Sequence, residues 1–160
     1  MNETAAGSAR SAHQDLREEL LRAEKAGGET GRAARAVMEV LFPHMTMEER
    51  YAMPALRFLP LLARGEAALA QSPDIDRVLK ASQGLKAELP VMLEEHRRIV
   101  DALAGLMRAA AEEKHAGWAQ FATKLISHVQ QEEEIFYPAA ILVGEYIRLY
   151  RERSDGGAGN

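Results

Sequence analysis

No cysteine occurs among the 160 residues. That excludes disulfides, thiolate nucleophiles, iron–sulfur clusters and zinc ribbons. Any metal would therefore be held by nitrogen and oxygen donors, which points to iron, manganese or zinc in a histidine–carboxylate site. Long apolar runs are missing too. No stretch approaches the roughly 20 apolar residues that span a bilayer. The small, polar residues Met1 to Arg10 are not followed by the apolar segment of a secretory signal. We therefore expect no membrane association and a cytoplasmic location. Charge of one sign is not concentrated anywhere: 20 Lys and Arg and 24 Asp and Glu are mixed along the chain, for a net charge of −4. A nucleic-acid partner would need a clustered basic face, so none is expected.

Beta-branched residues and sustained alternation of apolar and polar residues are also scarce. The chain is rich in Ala, Leu, Glu and Arg and carries 7 Met, and these are good helix formers. The chain reads as all-α, one domain over residues 1–160 with an ordered core near 8–152. The breakers fall at Gly27-Gly28, at Gln71-Ser72-Pro73-Asp74, at Lys114 to Gly117, and in a glycine-rich tail over 154–160. They delimit long helices near 8–26, 30–56, 91–113 and 117–152. The result is an up-down four-helix bundle. The segment 57–90, with Pro60, Pro73 and Pro90, is expected to form a partly helical crossover between the second and third helices. Its apolar stretch Leu59-Pro60-Leu61-Leu62 could serve either as core or as a homo-oligomer interface.

Four of the five histidines lie on apolar stripes. Leu16 and Leu20 follow His13 at +3 and +7, and Ile99 and Leu103 follow His96 likewise. Val37 and Leu41 precede His44 by seven and three, as Phe121 and Leu125 precede His128. Residues at these offsets share one helix face. The chain also repeats itself. His44 to Pro54 and His128 to Pro138 both read H-x-x-x-E-E-x-x-x-x-P, and a lone histidine stands upstream of each, His13 by 31 residues and His96 by 32. Residues i and i+4 project from one face, so His44 with Glu48, and His128 with Glu132, can reach one metal. A single H-x-x-x-E, or one core histidine, means little. Six such groups on four helices would leave imidazoles and carboxylates buried without partners, at several kcal/mol, unless a metal joins them. We therefore assign His13, His44, Glu48, His96, His128 and Glu132 as metal ligands. The expected arrangement is two terminal histidines per metal and two bridging carboxylates, with coordination positions left for a small ligand.

Other residues carry less. His115, beside Lys114 at a helix boundary with no carboxylate at +4, reads as solvent-exposed. Glu49 and Glu133 point about 100° away from the ligand glutamates, toward either outer hydrogen bonds to the histidines or solvent. Pro54 and Pro138 should interrupt their helices. Tyr51, Phe136, Met47 and Met92 read as core, and Trp118 as either a surface anchor or a packing residue.

The ordered set His13, His44-x-x-x-Glu48, His96, His128-x-x-x-Glu132 resembles the hemerythrin-like, or HHE cation-binding, family over residues 10 to 150. The resemblance implies an up-down bundle around two iron ions joined by an oxo or hydroxo bridge. Terminal histidines and two bridging carboxylates would map onto Glu48 and Glu132. Zinc or manganese fits the same donors. Members are associated with binding or sensing oxygen, peroxide or nitric oxide, and with iron handling. Oxygen-carrying members look to have a further histidine one turn before His96, where this chain has Met92. Their last carboxylate is an Asp at the position of Glu133. Water, another carboxylate or nothing is left to replace the missing nitrogen, which argues against oxygen carriage of that type. The segment with a cysteine found in cluster-repair relatives is absent. Oxygen or diatomic sensing at a di-iron centre is therefore the leading expectation. A peroxidase- or oxidase-type enzyme ranks lower, because no catalytic acid or organic substrate pocket is evident. A metal-stabilised interaction module is the third reading.

Overall fold

The computed structural model describes residues 5–156, with side chains described for 13–154. Among these residues all regular structure is helical, and no strand occurs. Helix α1 (Ala5–Lys25) turns back into α2 (Gly28–Tyr51). Three short helices follow: α3 (Met53–Leu56), α4 (Leu59–Leu62) and α5 (Glu66–Ala70). Then come α6 (Ile75–Glu112) and α7 (Ala116–Gln131), a π turn (Glu132–Phe136) and α8 (Tyr137–Gly156). The second helix packs on the first and on α6, and α6 packs on both α7 and α8. This is the all-α bundle with a partly helical crossover that the sequence predicts.

The breakers act as expected at three of the four positions. Gly27 and Gly28 have φ of 74° and 64°, values that an L side chain adopts only with strain. They let Glu113, from the far end of α6, reach the start of α2. There its carboxylate accepts the N–H groups of Glu29 (2.8 Å) and Thr30 (3.0 Å). A charge at a helix N-terminus satisfies orphan donors and complements the helix dipole. Thr30 and Glu29 together hold the Glu113 carboxyl down at about 2. The turn at Gln71 to Asp74 precedes α6, and left-handed Lys114 (φ 63°) separates α6 from α7.

Three predicted boundaries move. The third long helix starts at Ile75 rather than near 91, so Pro90 lies inside it. A proline within a helix removes one hydrogen bond and costs about 3 kcal/mol. Here the buried stripe Val78, Ala81, Leu85, Met92, His96, Ile99, Leu103 runs unbroken past it, and continuous packing outweighs the local cost. The second helix ends at Tyr51, with Pro54 opening a separate short helix. The tail is helical through Gly156, so 154–156 belong to α8; the rest of the predicted tail lies outside the described residues.

Two apolar cores result. One joins α1, α2, the second half of α6 and α7 through Leu20, Val37, Leu41, Met45, Ile99, Leu103 and Leu125. The other joins the short helices, the first half of α6 and α8 through Phe58, Leu69, Leu85, Met92, Tyr137 and Ile147. Gly144 permits the close approach of α8 to α6 in the second core, where a Cβ would collide with Ser82. Along α2, α6 and the α7–α8 pair, the candidate ligands lie at the boundary between the two cores. His96 sits between Met92 of one and Ile99 of the other. Glu132 sits between Val129 and Tyr137.

Candidate metal centre

Five of the six predicted residues are almost fully buried: His13 (2%), His44 (1%), Glu48 (3%), His96 (1%) and Glu132 (5%). His128 is the exception, with 28% of its side chain exposed. Donor atoms of His44, Glu48, His96 and Glu132 lie within 4.8 Å of one another, and so do those of His13, His128 and Glu132. All six thus converge, and Glu132 is shared. Its Oε2 is 3.4 Å from His96 Nε2 and its Oε1 is 2.8 Å from His128 Nε2. Glu48 likewise has one oxygen 3.2 Å from His13 Nε2 and the other 3.8 Å from His44 Nε2.

The hydrogen bonding shows that these donors suit a cation. His44 Nδ1 is 2.8 Å from Glu95 Oε2, and His96 Nδ1 is 2.8 Å from Glu133 Oε1. Carboxylates only accept, so both Nδ1 atoms donate. In the neutral tautomers the two Nε2 lone pairs then face each other 2.9 Å apart. That is repulsive unless a proton or a metal ion stands between them. Carboxylates behind metal-binding imidazoles fix tautomer and ring orientation in this way. On the other side, His13 Nδ1 and His128 Nε2 are buried without a hydrogen-bond partner, the latter out of alignment with Glu132. Buried polar atoms without partners are costly and call for an explanation, and a cation shared with Glu132 would supply one for His128 Nε2, 2.8 Å from Glu132 Oε1.

The local field favours positive charge. Burial alone would lower the pKa of His13. Glu48, Glu132 and Glu49 outweigh it and leave the imidazole raised. Burial opposes Glu132, Glu133 and Glu48 at His96 with the same outcome. At His128 the adjacent Glu132 carboxylate, 2.8 Å away, leads, opposed by burial, and again the pKa rises. Glu132 itself is pushed up by burial, but His128 and His96 pull it well below the usual carboxylate range.

The remaining residues fall as follows. Glu133 takes the outer position behind His96. Glu49 stands 3.5 Å from His13 Nδ1. His115 is outside the cluster, half-buried with its ring against Trp118 (4.8 Å), and Trp118 packs on the first core. Met92 is fully buried in the second core. Two residues escape the sequence reading. Glu95 is adjacent to His96 yet serves His44 across the helix interface, and sequence spacing carries no sign of that pairing. Tyr137 places its hydroxyl 2.7 Å from Glu48 Oε1, 3.1 Å from His96 Nε2 and 3.2 Å from His44 Nε2.

The local cause of Tyr137's position is the π turn. The Tyr137 N–H bonds back to the Glu132 carbonyl, five residues away. One extra residue in the turn gives Tyr137 the place that an i+4 residue has in an α-helix, on the face of Glu132. Pro138, which lacks an N–H, follows the turn directly.

No helix of the described residues is long and apolar enough to cross a membrane. No significant match was found among curated proteins or among solved structures. The family model of the hemerythrin HHE cation-binding domain matches residues 8–140, a span that contains all six converging residues. This chain therefore belongs to the hemerythrin HHE cation-binding domain family.

Proposed function

We propose that the protein is a non-haem di-iron protein that binds or senses oxygen or a related small ligand such as peroxide or nitric oxide. The observation that carries this is the shared carboxylate. Glu132 directs one oxygen to His96 and the other to His128, and Glu48 is divided in the same manner between His13 and His44. Two carboxylates, each facing two imidazoles on different helices, suit a pair of cations rather than one. His13, His44, His96 and His128 would be terminal ligands, and Glu48 and Glu132 would span the pair. Such a pair supplies Lewis acidity and electron-transfer capacity toward a small ligand.

This chain's own residues set the conditions. Glu95 and Glu133 hold two imidazoles in one tautomer. The two apolar cores exclude bulk water from above and below the polar layer. A cleft of about 360 Å³ between α6 and α7 is lined by His96, Val100, Val129 and Glu133, and gives small molecules and protons an approach to the layer.

Elemental analysis and an absorption spectrum of protein made in iron-replete cells test this reading. Two irons per chain with the near-ultraviolet bands of a bridged ferric pair are expected. His115→Ala should leave the iron content unchanged, whereas Glu48→Ala should lower it. Iron-free, colourless protein after assembly with iron would overturn the proposal.

A further inference from the structure

The two halves of the internal repeat differ at one position next to the site. Counting from each repeat histidine, Tyr137 in the second copy corresponds to Met53 in the first. Both are buried, but only Tyr137 offers an oxygen. Its hydroxyl enters the cluster from the second core, which also holds Met92.

We propose that Tyr137 is itself a metal ligand, its phenol oxygen completing the donor set of His44, His96 and Glu48. This rests on the metal-centre reading above. Donors that share one cation at bonds of about 2.1 Å and near right angles stand about 3 Å apart. The Tyr137 oxygen is 3.1 and 3.2 Å from the two Nε2 atoms, which are themselves 2.9 Å apart, and 2.7 Å from Glu48 Oε1. These are the separations of donor atoms around a common ion.

An ordinary buried tyrosine would need one acceptor, and Glu48 is enough for that. It would not need two imidazole lone pairs at similar distance. The ring is fixed for the task. It stacks on His96 at 5.4 Å between centroids and 20° between planes, and the π turn locks its backbone. Tyrosine oxygen is an established donor to ferric iron in haem proteins. Coordination replaces the phenol O–H bond with an O–metal bond and releases the proton to solvent, as metal binding to protonated ligands does. The donors around His13 and His128 contain no such oxygen among the described residues, so the two metal positions would be chemically unlike.

The test is spectroscopic, on the full chain loaded with ferric iron. Wild-type protein should show a visible phenolate-to-iron charge-transfer band, with tyrosinate ring modes enhanced in the resonance Raman spectrum on excitation into it. Tyr137→Phe keeps the packing volume and should lose both signals while retaining helix content and at least one iron per chain. Tyr51→Phe and Tyr146→Phe should keep both. Wild-type protein that binds two irons yet shows neither signal would overturn the ligand role and leave the di-iron reading intact. Signals that survive in Tyr137→Phe would do the same. A protein that binds no iron would overturn both.

Discussion

The two sides of the polar layer are built differently. Around His44 and His96 the imidazole nitrogens all have neighbours: a carboxylate 2.8 Å from each Nδ1, and a tyrosine hydroxyl 3.1 and 3.2 Å from the two Nε2 atoms. Around His13 and His128 the partners thin out. His13 has its nearest outer carboxylate at 3.5 Å, His128 is partly exposed, and one nitrogen of each is unpartnered. Each side carries two histidines, so the difference lies in what surrounds them. The first side is held in place before a metal arrives, and supporting partners of that kind fix geometry and tune affinity. The second side is looser and nearer to solvent.

The largest effect should come from a residue that belongs to both sides. Glu132→Ala removes the shared carboxylate and should abolish binding of both metals, read by elemental analysis. It should also remove the rise in Tm on metal addition, which for the wild type corresponds to about 2.7 kcal/mol at a hundredfold excess over Kd. Two irons retained in that variant would break the comparison at its centre.

Next come the histidines taken singly. His44→Ala opens a cavity between two cores and leaves the Glu95 carboxylate without its donor, at roughly 2–5 kcal/mol of stability. His128→Ala, at the partly exposed position, should cost clearly less in chemical denaturation. Both should lose metal. Equal stability losses would show that the two sides are equally rigid.

The outer carboxylates give a finer reading. Glu95→Gln and Glu133→Gln should each weaken metal affinity by about 10–100-fold in competition with a chelator. Glu49→Gln, at the longer distance, should have a smaller effect. If Glu49→Gln is as damaging as the others, the asymmetry is not functional.

The smallest effect lies away from the site, at the cap on α2. Glu113 has its carboxyl lowered from 4.5 to about 2 in the folded chain. A depressed pKa contributes stability above the unfolded value, and that contribution is lost as pH falls through the folded one. Glu113→Gln should therefore lower Tm slightly at pH 7, and the gap to wild type should close between pH 4.5 and about 2. A gap independent of pH over that window would mean the carboxylate charge does not support the turn.

The sequence by itself determined the all-α class, three of the four long-helix breaks and the six residues that converge. Each of these is a local matter. Helix propensity and glycine breaks act within a few residues, and i, i+3, i+4 spacing fixes which side chains share a face before any packing occurs. The repeat then supplied the pairing of one His-x-x-x-Glu with the other. Tertiary structure decided what depends on neighbours distant in the chain. It kept α6 helical through Pro90, because the buried stripe on either side of that proline outweighs one lost hydrogen bond. It brought Glu95 to His44 and Glu113 to the start of α2 across helix interfaces that no sequence interval encodes. It also placed Tyr137 in the polar layer. At ordinary helical spacing a residue five after Glu132 faces well away from it, and only the extra residue of the π turn rotates the phenol onto the metal-facing side.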